Sequence, residues 1–290
     1  MSFLICENNT DYLDSIARLR LMDDDFMRIV FKDEDVVRQF LEIILERKVD
    51  IIECHAQYDI NNILGRSISI DVLVKDGDDY INIEVQRDTK GAHPKRARFH
   101  GSLIDANTSF PNEEWDKLPN VIIIFITETD VLGYGLPIYH SHCRIDENNE
   151  RLDEGTEIIY VNASIQEDTA LGRLMHDMFC TDPKDIHYEF LRKRVRYYKE
   201  NEGGKRKMCE IWEEIKNKGK LEGLREGESI GKQAGLAEGK ILGRQQGVFE
   251  ERINSIKKLM RKNGYTLEEA LDFLDIPKEE RSTYIGIFTS

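Results

Sequence analysis

The stretch from residue 66 to residue 86, RSISIDVLVKDGDDYINIEVQ, limits the folds open to this chain more than any other. Apolar and polar residues alternate on both sides of an Asp-Gly-Asp-Asp cluster, as in two half-buried strands joined by a tight turn. Ile68, Ile70, Val72 and Val74 share one face of the first strand, which leaves Asp71 on the other. In the second strand Ile81, Ile83 and Val85 share a face, opposite Asn82, Glu84 and Gln86. A two-residue loop at Gly77-Asp78, glycine first as a type II′ turn prefers, pairs Asp76 with Asp79 and sets Asp71 opposite Glu84, Cβ atoms ~5 Å apart. A turn centred on Asp76-Gly77 would set Asp71 against Asn82 and make Glu84 a diagonal neighbour. Both registers keep the two carboxylates on one face.

Like charges facing each other across a hairpin are destabilising. A divalent cation removes that penalty, and oxygen ligands at this spacing suit Mg²⁺ or Mn²⁺. Such an ion lowers the pKa of a bound water and neutralises charge on a phosphodiester oxygen. Gln86, one pleat beyond Glu84 on the same side, is placed to orient the attacking water. The competing reading, solvated acids on an open sheet face, weakens if helices cover both faces.

The flanking sequence predicts such cover. Val36, Val37, Phe40, Leu41, Ile44 and Leu45 recur at helical spacing, and a helical stretch near 94–104 follows the hairpin. Further strands are expected at Val49–Ile52, Val121–Thr127, Ile138–Ile145 and Glu157–Val161. The economical reading is an α/β domain over residues 11–165, a sheet flanked by helices. A helical extension is expected over 166–207, with Ile186, Phe190, Val195 and Tyr198 on an apolar stripe. Arg192, Lys193, Arg196 and Lys199 fall opposite, and Lys205–Lys207 follow a Gly-Gly break, so Arg192–Lys207 is a second candidate phosphate surface.

Residues 208–250 hold a strict repeat: Gly219, Gly223, Gly227, Gly231, Gly235, Gly239, Gly243 and Gly247, each four residues from the next. In a helix this line drifts about 40° per step, and eight glycines cost an isolated helix ~6–8 kcal/mol relative to alanine. Two readings compete. One is a flexible charged spacer; the other is a helix whose glycine line admits the backbone of a second copy, making a homo-oligomer. Residues 251–290 read as a small helical element, with Pro277 opening its last helix.

The spacing Ile70-Asp71 to Ile83-Glu84-Val85-Gln86 resembles the PD-(D/E)XK nuclease signature, in the Glu-x-Gln form of the Rpn-type recombination-promoting nucleases, also labelled transposases. Residues 25–31, DFMRIVF, resemble that family's opening helix. Arg96 to His100 resembles its Arg-x-x-Tyr-Tyr helix, and Leu118 to Val121 its Leu-Pro-x-Val lead-in to a hydrophobic strand. The glycine-repeat tail also looks like the family's C-terminal region, so the resemblance covers about residues 20–250. It implies a restriction-endonuclease-like mixed β-sheet and a metal-dependent DNA endonuclease. It also implies that Asp71, Glu84 and the main-chain carbonyl of Val85 are metal ligands for Mg²⁺ or Mn²⁺, with Ca²⁺ admissible. Gln86 stands where the superfamily has a catalytic lysine, Ile70 where it has proline, and His100 where the family has tyrosine. Asp25 is either a further acid of the site or the N-cap of a helix beginning at Phe26.

Charge distribution agrees with a DNA partner. The chain carries 41 basic and 55 acidic residues, net −14, which disfavours nucleic-acid binding by the whole surface. Yet Arg87, Lys90, Lys95, Arg96 and Arg98 crowd just beyond the metal strand, with Asp88 the one acid among them. Of these, Arg87, Lys95, Arg96 and Arg98 are the expected phosphate contacts. Five scattered cysteines without a Cys-x-x-Cys pair fit a reducing cytoplasm. The longest aliphatic run, 121–126, is far short of the ~20 residues that cross a bilayer, and Phe3–Cys6 is too short for a signal-peptide core. His140 and His142 share one side of a strand without evident further ligands. A non-catalytic nucleic-acid-binding or self-assembly module, with vestigial hairpin acids, is the competing function.

Overall fold

The computed structural model describes residues 10–62, 65–87 and 89–289; Phe3–Cys6 and Asp88 lie outside the described residues. In chain order the elements are α1 (Thr10–Arg18), α2 (Asp24–Val30), α3 (Glu34–Leu45), β1 (Ile51–Ile60), β2 (Ile68–Asp76), β3 (Asp79–Gln86), a 3₁₀ turn (Thr89–Ala92), α4 (Pro94–Thr108), β4 (Val121–Thr127), β5 (Ile138–Ser141), β6 (Thr156–Asn162), α5 (Ala170–Phe179), α6 (Glu189–Glu200), α7 (Glu202–Asn263), α8 (Leu267–Phe273) and α9 (Lys278–Thr289). Two compact units divide this chain, Met1–Trp212 and Glu213–Ser290.

The first unit is built on one six-stranded sheet in the order β1-β2-β3-β4-β6-β5. Turn chemistry fixes its hairpin. Gly77 has φ +62°, which glycine adopts without strain, and Asp76 pairs with Asp79. The register runs on through Leu73–Asn82 and Val72–Ile83, so the next step brings Asp71 abreast of Glu84. β4 joins β3 in parallel, with Phe125 beside Glu84. All seven β4 residues are buried, the run expected of a central strand covered on both faces.

Two apolar layers enclose the sheet. Val74, Ile83, Val85 and Ile124 pack with Phe26 and Met27 of α2, Phe40 of α3, Met175 of α5 and Val195 of α6. On the other face, Ile123, Phe125 and Tyr160 pack with Ala97 and Ile104 of α4. Each fully buried side chain of this size contributes about 1.5–3 kcal/mol.

β2 departs from the expectation that Ile68, Ile70, Val72 and Val74 share a face. Val72 and Val74 join the first layer, whereas Ile68 and Ile70 join the second with Leu73. The change falls at Asp71. Tyr58 pairs with Ile70 and Ala56 with Val72, so Gln57, at φ +61°, stands across from Asp71. The β1–β2 ribbon rolls over at this step and passes from one layer to the other.

Two strand boundaries also differ. β1 covers 51–60 rather than 49–52, because a polar edge strand needs only a partner ladder, which β2 supplies. β5 stops at Ser141 rather than Ile145, leaving the isolated Arg144–Arg151 bridge. The predicted cationic face of α6 is partly withdrawn from solvent. Lys199 Nζ donates to the carbonyls of Ala17, Leu19 and Thr181 at 3.0, 2.5 and 2.6 Å, and Arg192 donates to those of Ile186 and His187.

Residues 219–247 lie within the 62-residue helix α7, so the repeat is helical. A Cβ built on any of its eight glycines meets nothing within 4 Å. In the second unit Ile256, Leu271, Ile276 and Tyr284 form a small core, and Thr266 and Glu269 make a reciprocal capping box on α8. Among the described residues, no helix is long and apolar enough to cross a membrane.

Candidate active site

The hairpin register and the roll at Gln57 bring two acids into the protein together. Asp71 is 3 % exposed and Glu84 0 %. Two main-chain links tie them: Asp71 N donates to Glu84 Oε1 at 3.3 Å, and Val85 N donates to Asp71 Oδ2 at 3.1 Å. Buried carboxylates require compensating partners, and each has an arginine. Arg28 of α2 donates to Asp71 Oδ1 through Nε at 3.1 Å and Nη2 at 2.5 Å. Arg96 of α4 donates through Nη2 to Glu84 Oε2 at 2.8 Å.

Burial, and then the neighbouring Asp71 charge, push the Glu84 carboxyl up to about 8 in spite of Arg96. His100 lies against the same group, its Nδ1 3.6 Å from Glu84 Oε1. Burial and Arg96 pull this imidazole down to about 4, so it is neutral at pH 7. Its Nε2 accepts from Arg96 Nε at 3.3 Å, which leaves the proton on Nδ1, 3.1 Å from the Asn82 amide. Asn82 Oδ1 is buried without a partner, and turning the amide presents that oxygen to the imidazole proton.

Gln86 is held from both ends. Its Oε1 accepts from Arg96 Nη1 at 3.2 Å, and its Nε2 lies 3.5 Å from Glu84 Oε2. The 3₁₀ turn approaches closely here: a Cβ on Gly91 would lie 1.9 Å from Gln86 Oε1. Arg96 Nη1 also donates to Gly91 O at 3.0 Å.

A cleft of about 610 Å³ opens beside Val85, Gln86 and Arg87, with Asp23, Asp24 and Asp25 on its other wall. Asp25 is not an N-cap. Helix α2 starts at Asp24, and Asp23 occupies the capping position. Asp24 lies close enough to Asp71 for its carboxyl to be raised, first by the surrounding protein and then by the Asp71 charge. Of the expected phosphate contacts, Lys95 and Arg98 are exposed on α4. Arg87 is exposed and paired with Asp23 and Glu128, and Arg96 spends its donors inside the site.

Sequence reasoning assigned no role to Arg28, Asn82 or Asp24. Asn82 shares the Glu84 face by alternation, and a cation three residues after Asp25 was the available sign for Arg28. Two carboxylates beside a main-chain segment, with no thiol among their contacts, suit a hard divalent cation in donor type.

A mixed sheet with buried acids on adjacent strands and helices on both faces defines a nuclease-type α/β domain. The PD-(D/E)XK nuclease family transposase profile matches residues 25–169, half of the chain, and the chain belongs to that family. Nucleases of this superfamily generally use divalent metals. No curated protein and no solved structure gives a significant match.

Proposed function

We propose that this chain is a divalent-metal-dependent DNA endonuclease of the recombination-promoting (Rpn) type, acting in the cytoplasm. The observation that carries the reading is the Asp71–Glu84 pair, buried on adjacent strands beside a cleft and next to a basic helix. Asp71, Glu84 and the Val85 carbonyl would hold Mg²⁺ or Mn²⁺, with Ca²⁺ able to fill the same oxygens. When bound, the ion supplies Lewis-acid neutralisation of phosphate charge and activation of water.

The remaining work falls to the chain. Gln86 accepts a hydrogen bond from the attacking water and orients it, and its amide adds no positive charge. Arg87, Lys95 and Arg98 bind phosphate oxygens on either side of the cut. Arg96, which bridges Glu84 and Gln86, would be the cation nearest the scissile phosphate. Asp24 and Asp25 lie across the cleft as further acids. Hydrolysis forms one P–O bond to the water oxygen and breaks one ester P–O bond, and the leaving oxygen takes up a proton. Nicking of supercoiled plasmid tests this. Asp71→Ala and Glu84→Ala, each folded by circular dichroism, are expected to abolish Mg²⁺- or Mn²⁺-dependent nicking. Undiminished cleavage by both sinks the assignment.

One observation favours a second reading. Arg28 and Arg96 already occupy both acids as hydrogen-bond partners, as they would in a vestigial site kept for DNA binding or assembly. Calorimetry with Mn²⁺ separates the two, since a vestigial site gives no binding heat. The glycine line of α7 supports self-association of the chain in either case.

A further inference from the structure

A second cluster of metal-ligating side chains lies beyond the family-matched residues and outside the cleft. Helix α5 ends at Phe179, and a nine-residue connection leads to α6. Asp177, on the last turn of α5, is fully buried. Its Oδ2 accepts from Tyr188 N at 2.8 Å, and its Oδ1 accepts from His187 N at 2.7 Å. These two main-chain bonds fix the carboxylate. The same Oδ1 also lies 2.9 Å from His187 Nδ1 and 3.3 Å from His176 Nδ1, and the two rings meet edge to face with centroids 4.5 Å apart. His176, Asp177 and His187 each bring a ligand atom to within 4.8 Å of the others. Cys180 Sγ is 3.5 Å from that His176 nitrogen.

We propose that His176 Nδ1, Asp177 Oδ1 and His187 Nδ1 form a Zn²⁺ site that staples the end of α5 to the start of α6. The distances suit it. A tetrahedron with metal–ligand bonds of ~2.0–2.1 Å has edges of roughly 3.3–3.4 Å; the two oxygen–nitrogen separations are 2.9 and 3.3 Å, and the two nitrogens lie within 4.8 Å of each other. One carboxylate oxygen faces a main-chain donor and two imidazole nitrogens, and a single cation would take all three side chains as ligands at once. The two main-chain bonds to Asp177 remain in place and orient it, as donors behind a ligating carboxylate do. Both rings are partly exposed, His176 at 39 % and His187 at 46 % of their side chains, which leaves a route from solvent. Two imidazoles and one carboxylate select a borderline-soft ion, whereas the all-oxygen hairpin selects a hard one. The two sites therefore discriminate between metals.

The His140–His142 pair is a weaker arrangement. Its nitrogens reach Glu157 Oε1 at 2.9 and 3.6 Å, but these three ligand atoms do not all come within 4.8 Å of one another.

The test uses the full-length protein in excess Mg²⁺, so that the hairpin acids do not compete for zinc. Equilibrium dialysis is expected to find one Zn²⁺ per chain, and Co²⁺ in its place is expected to give tetrahedral ligand-field bands. His176→Gln and His187→Gln should each weaken Zn²⁺ binding by more than the ~10–100-fold that loss of a partner behind a ligand costs. If either variant fails to fold, protection of the wild-type histidines from acylation by diethyl pyrocarbonate gives the same answer. No Zn²⁺ retained under Mg²⁺, binding unchanged in both variants, or no protection overturns the site. None of these outcomes depends on plasmid nicking.

Discussion

Arg28 and Asp71, 43 residues apart in the chain, meet through two hydrogen bonds to a single carboxylate oxygen. The contact fastens α2 to the step of β2 where the ribbon changes layers. Removing Arg28 leaves a carboxylate that is almost fully buried, with the Val85 amide still donating to it at 3.1 Å. Arg28→Ala is therefore expected to lower stability by about 1–3 kcal/mol, less than a fully buried pair because Arg28 is itself partly exposed. Mn²⁺ should restore more stability to the variant than it adds to the wild type, read as the metal-induced shift in Tm.

Glu84 gives the pH dependence. Its carboxyl, raised to about 8, holds a proton in the metal-free protein at pH 7. A metal must displace that proton, so apparent affinity should rise with pH, up to tenfold per unit, and level off above about 8. Calorimetry in buffers of different ionisation enthalpy should show close to one proton released at pH 7. Metal-free stability runs the other way. Between the ordinary glutamate range and about pH 8 the folded state binds the proton and the unfolded state does not, so this contribution declines as pH rises.

Gly91 lends itself to an indirect test of Gln86. Its backbone suits alanine, but the new methyl would land on Gln86 Oε1 and push the amide aside. Gly91→Ala and Gln86→Ala are both expected to slow nicking about tenfold or more, with Mn²⁺ affinity unchanged by calorimetry. Equal loss of affinity would mean that the methyl disturbs the carboxylates instead.

The glycine line makes opposed predictions for stability and assembly. Gly227→Ala, Gly231→Ala and Gly235→Ala together should stabilise helix α7 by ~2–3 kcal/mol, because among the described residues no atom stands where the methyls would go. If a second copy packs there, the same change abolishes association in light scattering. A chain cut before Gly219 should be monomeric.

The hairpin was legible because alternation and turn chemistry are local properties. Asp71, Glu84 and Gln86 could be placed on one side by counting from Gly77. What remained hidden depends on contacts distant in sequence. The arginine partners come from α2 and α4, and nothing near residue 71 or 84 announces them. Lys199 fell on the candidate phosphate face of a helical wheel, yet three carbonyls from two other segments draw it in. Ile68 and Ile70 were assigned to the wrong layer because period-two counting assumes a regular strand, and Gln57 breaks it from the opposite strand. His176, Asp177 and His187 escaped notice because the connection after Phe179 brings His187 back to the end of α5 only in three dimensions.

The roll of the β1–β2 ribbon has a consequence for how firmly the acids are held. Asp71 sits at the crossing between two hydrophobic compartments, so a shift in either one is transmitted to its carboxylate. A cavity opened deep in either core, far from the cleft, is therefore felt at the acid pair.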